Sequence, residues 1–410
     1  MREIPVSPIL ASLRRHRLVA LLLMLQVATT CAVICNVGFM VVGRWQRMHM
    51  PSGVEAEDSL ELIRAQDLHP RSDTQARHQE DLALLRAIPG VQSAVAVDSL
   101  PFSQDTWQVS GSPGGSAEDA PRTPIILYNG TPGELATLGV RLIAGRDFAA
   151  TDYVPMRVQD NYSGFNQVSG LIVSKALADH LFPGLSAVGR QIRIDKRDLR
   201  IVGVFDAMAV PSPGRENSPD YIAFTPMMPD DTYVVYAMRC APSQCDAIGH
   251  KAGDALLAAA SDRLLDPPQR FTDLRGKFFQ RDRTMIGLLV ASALGLLFVT
   301  ALGIAGLANF WVQQRTRTIG IRRAIGATRG DILRYFQTEN FLIVGFGVLP
   351  GVLLAVGLNL FLMRHYELPH LPLWYLPVGA LALWALGQLA VLAPARRASN
   401  VPPVVATRSV

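Results

Sequence analysis

A chain of 410 residues that is 49% hydrophobic and 18% charged, with a formal net charge of +5, is too apolar for a disordered tail or a solenoid. Its apolar residues gather in four blocks, and the stretch between the first two has ordinary globular composition. Its basic excess is mostly arginine beside those blocks, which points to membrane orientation rather than nucleic acid.

Residues 1–17 form a basic flank with Arg2, Arg14, Arg15 and Arg17, and the first block, LVALLLMLQVATTCAVICNVGFMVV, fills residues 18–42 without a charge. A cleaved signal peptide is the rival reading, but its apolar region runs only about 7–15 residues. This block is long enough to cross a bilayer with some tilt. Cys31 and Cys35 lie one helical turn apart within it and read as packing residues.

Residues 43–284 read as one exported α+β domain. Strand-like runs (SAVAVDSLPF, TPIILYNG, GLIVSKAL, RQIRIDKRDLRIVGVF, YIAFTPM, DTYVVYAMRC) alternate with helical ones (DLALLRAIPG, VSKALADHLFPG, DAIGHKAGDALLAAASDRLL). SPGGSAEDAPR and PSPGRENSPD are Gly/Pro-rich loops. Cys240 and Cys245, in RCAPSQCD, either close a small disulfide in an oxidising compartment or stand as two free thiols. Zinc is disfavoured, because no second pair of ligands stands nearby.

The second block fills residues 285–312, the third 332–363 and the fourth 373–393. A basic segment, 313–331, separates the second from the third, a short loop, 364–372, the third from the fourth, and the tail is 394–410. Gly347 and Gly351 make a GxxxG, which permits close helix approach or reflects only the abundance of glycine in membrane helices. Four spans, one plus three, put the N-terminal flank, the basic segment and the tail (Arg396, Arg397, Arg408) on one side, which the positive-inside rule makes cytoplasmic. Arg275, Lys277, Arg281 and Arg283 run against that count, but they end a long domain, and long domains translocate largely regardless of charge.

No GxxxxGK[ST], HExxH or GxSxG occurs, so ATP binding in the P-loop manner and the common hydrolase chemistries are not expected of this chain. His365, Glu367 and His370 in HYELPH read as a solvated loop before a metal site. Glu339, inside the third block, is either a functional membrane carboxylate or a structural one touching Asn309 or Gln337.

The basic segment opens the stretch RTRTIGIRRAIGATRGDILRYFQTEN, 315–340. On a helix, Ile321, Ala324 and Ile325 share one face while Arg322 and Arg323 point elsewhere. Gly326 and Gly330 bracket a break, and Thr328 with Asp331 matches a capping box opening the third span. Residues alone leave two readings: an anchoring basic loop, or a docking helix followed by an elbow.

The stretch IGIRRAIGATRGDILRYFQTENFLI resembles the signature of the MacB/FtsX-like permeases of ABC transporters, roughly E-I-G-I-R-R-A-[LVI]-G-A, a polar turn, D-I and a glutamate inside the next span. Ile319, Gly320, Ile321, Arg322, Arg323, Ala324, Gly326, Ala327, Asp331, Ile332 and Glu339 match. IPGVQSAVAV, LGVRLIAGRDF and IVSKALADHLFPGLSAVGRQI are similar to the family's periplasmic core domain, and PARRASNVPPVVATR to its C-terminal ending. Thr318 stands where the family usually has an acid, and Val405 where it often has glutamate.

The resemblance implies a non-enzymatic, mechanotransmitting subunit in the bacterial inner membrane that binds no cofactor and no nucleic acid itself. A separate ABC ATPase, using ATP and Mg, would dock on residues 318–331. Ile321 and Ile325 would be its apolar plugs and Arg322 and Arg323 its polar contacts, in a segment that includes Thr318, Ile319, Gly320, Ala324, Gly326, Ala327 and Asp331. A second permease chain would pair through the first two spans near Gly303 and Gly306, and membrane lipids would surround them. A periplasmic adaptor and an outer-membrane channel accompany many exporters of this type. Two activities fit: export of a drug, peptide or lipid-linked molecule, or a non-transporting role that activates a periplasmic partner such as a cell-wall hydrolase.

Overall fold

The computed structural model describes residues 17–69, 73–103, 105–115, 117, 120–212, 220–366 and 371–400. The chain divides into a helical unit, Met1–Gln46 with Asp282–Val410, and an inserted unit, Arg47–Arg281. Helix α1 (Arg17–Met48) comes first. The inserted unit then runs β1 (Leu60–Asp67), α2 (Thr74–Ala87), β2 (Val91–Val97), β3 (Trp107–Pro113), β4 (Thr123–Asn129), α3 (Glu134–Leu138) and β5 (Leu142–Gly145). It continues through β6 (Val154–Pro155), β7 (Gly170–Ser174), α4 (Lys175–Leu181), β8 (Gln191–Ile194), β9 (Arg197–Phe205), β10 (Ile222–Thr225) and β11 (Met227–Met228). It ends with β12 (Tyr233–Cys240), α5 (Cys245–Ala259), β13 (Arg263–Leu265), β14 (Gln269–Arg270) and α6 (Phe271–Phe278).

Two larger sheets carry the inserted unit. One is antiparallel, in the order β13-β1-β12-β2, with β14 also paired to β1. The other follows β5-β9-β7-β10-β4-β3-β8, and a further β8–β9 pairing joins β9, β7, β10, β4, β3 and β8 into a ring. The interior of that ring explains its sequence. All five residues of β7, GLIVS, are buried, as expected of a strand covered on both faces. Ile125, Leu127, Leu171, Val173, Ile192, Ile201 and Ala223 share one core.

Buried polar groups in this unit are mostly paired, because an unpaired one costs about 1–3 kcal/mol. The Tyr128 hydroxyl donates to the Ala209 carbonyl at 2.8 Å. An ionic knot fixes α2 to the first sheet: Arg263 Nη1 and the Tyr236 hydroxyl both reach Asp81 Oδ2, at 2.8 and 2.6 Å. Arg77 bridges Asp262 at 2.5 Å and Asp67 at 3.7 Å. Burial pushes the Tyr236 phenol up, and the Asp81 charge adds to it. Glu61 on β1 is different. It is 2% exposed, and its Oε2 has no hydrogen-bond partner among the described residues. Burial first, and the Asp246 charge second, push its carboxyl up to about 7.

The helical unit adds α7 (Gln280–Gln314), α8 (Thr316–Ala324), α9 (Arg329–Tyr366) and α10 (Tyr375–Ser399). Helices α1, α7, α9 and α10 are long and apolar enough to cross a membrane. The first three of these helices extend past their apolar blocks at both ends and α10 at its C-terminal end, because helical hydrogen bonding continues into the charged flanks. Small residues set the packing. A Cβ at Gly347 or Gly351 of α9 would come within 2.8 Å of Val27 or 2.6 Å of Cys31 on α1, so the GxxxG brings these two backbones together. Gly379 of α10 meets Cys35 in the same way. The two cysteines are free and buried.

Polar side chains join the helices too. Thr30 and Thr300 share a 2.9 Å hydrogen bond between α1 and α7, and Asn36 Nδ2 donates to the Ala355 carbonyl on α9 at 3.1 Å. Gly303 faces Gln26 of α1 in the same chain, while Gly306 has open space around it. Helix α7 remains the least covered span, with Leu288, Leu294, Phe298 and Leu302 each more than half exposed.

Candidate functional site

The site lies where α7 ends and α9 begins. Arg315 breaks the helix between α7 and α8, with φ −104° and ψ 7°. Its side chain turns to α9, where Nη1 donates to both oxygens of Glu339 and to the Tyr335 hydroxyl, each at 3.2 Å. The guanidinium also lies over the Trp311 ring, 5.8 Å from its centroid. Glu339 is 1% exposed, and a carboxylate at that depth is costly without a cation. Arg315 is thus a basic partner of Glu339 across the helix break.

Helix α8 follows directly. Ile319 is 5% exposed and Gly320 is buried, so both pack inward. Ile321, Arg322, Ala324 and Ile325 are exposed, with Ile325 at 80%. Arg323 and Ala327 are half-buried and Thr318 is exposed. Arg322 arches over the Tyr335 ring at 5.2 Å, a cation–π contact worth about 0.5–1 kcal/mol at an exposed site.

Two capping motifs then define the elbow. Gly326 N–H bonds the Arg323 carbonyl at 3.1 Å and Ala327 N–H the Arg322 carbonyl at 3.0 Å. These are the two bonds of a Schellman motif, and Gly326 takes the left-handed conformation it demands, φ +106°. Thr328 Oγ1 then accepts from Asp331 N–H at 3.2 Å, while Asp331 Oδ2 accepts from Thr328 N–H at 3.0 Å. That reciprocal capping box starts α9 at Arg329, three residues before the apolar block. Gly330 sits inside the first turn of α9 rather than at the break. A single glycine, Gly326, makes the turn.

Sequence reading left Trp311, Arg315 and Tyr335 unassigned. The signal was present as two pairs four apart, Trp311 with Arg315 and Tyr335 with Glu339, since residues at that spacing share a helix face. Cys240 and Cys245 lie elsewhere, in the inserted unit, where they are bonded with Cα atoms 5.5 Å apart. Among the described residues no group of three or more His, Cys, Asp or Glu is placed to hold a metal ion. His365 Nδ1 is 3.0 Å from the Phe361 carbonyl. Glu367 and His370 fall outside the described residues, as do Arg2, Arg14, Arg15, Val405 and Arg408.

Residues 27–248 match the MacB-like periplasmic core domain, and residues 290–403 match the FtsX-like permease C-terminal domain. The chain belongs to the MacB/FtsX-like ABC permease family. The elbow lies wholly inside the FtsX-like match, and the inserted unit is the family's periplasmic α+β domain. This permease is 28% identical, over 54% of its length, to the macrolide export ATP-binding/permease protein MacB of Bradyrhizobium diazoefficiens, covering 35% of that protein. It is 33% identical to the pyoverdine export ATP-binding/permease protein PvdT of Pseudomonas syringae over 32% of its own length and 20% of PvdT. It is 25% identical to the ABC transporter permease YvrN of Bacillus subtilis over 65% of its length and 69% of YvrN. The periplasmic region of MacB from Actinobacillus actinomycetemcomitans aligns with 57% of the chain at 12% identity, a TM-score of 0.33 and 97% coverage of that region.

Proposed function

We propose that this permease is the membrane subunit of a mechanotransmitting exporter in the bacterial inner membrane. It works as a dimer and is driven by an ABC ATPase that hydrolyses ATP with Mg on the cytoplasmic side. The observation that carries this reading is α8. It is a short helix held between two defined breaks, inward through Ile319 and outward through Ile321 and Ile325. Exposed isoleucines flanked by arginines suit docking into a groove of a partner protein. Force on α8 would reach α9 through Arg315–Glu339 and Arg322–Tyr335, and the barely covered α7 is the face for a second permease chain. The named export activities of MacB and PvdT support export of an amphiphilic small molecule, peptide or lipid-linked cargo, with an adaptor and an outer-membrane channel beyond it.

Purification from native membranes in mild detergent tests this. An ABC ATPase should co-purify in a near-stoichiometric amount and be lost from the Arg322→Glu, Arg323→Glu double variant while membrane insertion is unchanged. Retention of the ATPase by that variant would refute α8 as the docking helix. Co-purification of a cell-wall hydrolase, with unchanged drug sensitivity in a deletion strain, would replace export by the signalling role.

A further inference from the structure

The inserted unit contains a cleft that the ATPase reading leaves unexplained. It originates in a gap along the edge of β1. Strand β13 pairs Leu265 with Ala65, and β14 resumes only at Gln269 opposite Leu62. Asp266 N–H still bonds the Arg64 carbonyl at 3.0 Å, but Pro267 and Pro268 follow, and neither proline has an N–H to give to a ladder. The chain bows away and leaves a cleft of about 400 Å³, within the size range of small-molecule sites.

Its walls are of two kinds. One is apolar: Phe102, Leu274 and Phe278. Phe102 is 1% exposed and takes φ +67°, a left-handed backbone that is strained for a bulky residue. It is held there by Phe271, Phe278 and Phe279, with centroids 5.4 to 6.0 Å away, and by the Arg275 guanidinium over its ring at 5.4 Å. Strain maintained by so much packing is a mark of ligand clamps. The other wall is cationic. Half-buried Arg64 and exposed Lys277 line it, and among the described residues Lys277 Nζ bonds the neutral Gln269 Oε1, at 2.7 Å. Asp266 is the sole acid in the lining, and among the described residues it forms an ion pair with neither cation. Two cations against one acid leave the rim net positive beside a phenylalanine floor.

We infer that this cleft binds an amphiphilic anion: an apolar body against Phe102, Leu274 and Phe278, with a carboxylate or phosphate head on Arg64 and Lys277. Binding needs neither ATP nor a partner chain, so its fate is separate from that of the coupling reading.

The test uses the full chain in nanodiscs of neutral lipid, with three photoreactive probes: a medium-chain fatty acid, a phosphatidic acid and the uncharged fatty alcohol. Labelled peptides are mapped by mass spectrometry. The acid should label the segments holding Phe102 or Phe278 at least about tenfold more than the alcohol, which corresponds to about 1.4 kcal/mol of head-group recognition. Unlabelled acid, but not alcohol, should compete. Stronger labelling by phosphatidic acid than by the fatty acid identifies a lipid head group as the source, and the reverse a free amphiphile. Arg64→Gln with Lys277→Gln should remove the preference for acid over alcohol. Equal labelling by acid and alcohol in the wild-type protein overturns the proposal. So does labelling confined to the spans, and neither result depends on the variant folding.

Discussion

Both units of this permease bury an arginine against a carboxylate, and the two sites are built differently. In the periplasmic unit, Arg263 has a side chain only 1% exposed and meets Asp81, which also takes the Tyr236 hydroxyl. Arg77, Asp67 and Asp262 extend the knot, which spans β1, α2, β12 and β13. Between α7 and α9, Arg315 keeps 22% of its side chain exposed and meets one carboxylate, Glu339, beside a helix break. The first arrangement fixes the register of a sheet on a helix. The second pins a joint while leaving the arginine a route to water. Burial depth thus separates the two arginines, 1% exposed in the first and 22% in the second.

Removing each partner tests that distinction. Arg263→Ala strands Asp81 in the core and should cost about 3–5 kcal/mol, read as loss of amide-exchange protection in β1 and α2 of the purified chain. Glu339→Ala leaves an arginine that can turn to solvent, and should cost less, about 1.5–3 kcal/mol, while strongly reducing ATP-driven activity. Equal stability losses would remove that distinction.

A third experiment sharpens the contrast between paired and unpaired buried acids. Glu61 has an ordinary value of 4.5 and a folded value of about 7. The folded state therefore holds a proton that the unfolded state has released between those values. Glu61's contribution is fully present below pH 4.5, declines as pH rises to about 7, and is flat above. The Glu61→Gln variant should match the wild-type protein near pH 5 and exceed it in thermal midpoint near pH 8, where the wild-type carboxylate must be buried charged. A gap that shrinks with rising pH would contradict this. The smallest structural effect belongs to Ile325→Ala. At 80% exposure it should move stability by less than about 0.5 kcal/mol, yet lower the yield of co-purified ATPase.

The four spans were legible because unbroken apolar length has few other meanings. The elbow was legible at Thr328 and Asp331, where a local capping pattern depends on nothing distant. Strand β1 was not. LELIRAQD is rich in good helix formers, and only its place between β12 and β13 makes it extended. The partner of Glu339 was hidden for a related reason: Arg315 sits across a helix break, 24 residues away, and no periodicity continues through a break.

The GxxxG contact also has a consequence in time. About 320 residues separate Cys31 from Gly351, and at about 5–20 residues per second the ribosome needs roughly a quarter of a minute to a minute to make them. Throughout that interval α1 waits in the bilayer with Cys31 and Asn36 uncovered by α9, although both are buried in the finished protein. The face of α1 that receives Gly347 and Gly351 is therefore finished only when α9 arrives, so the helical unit closes late in synthesis.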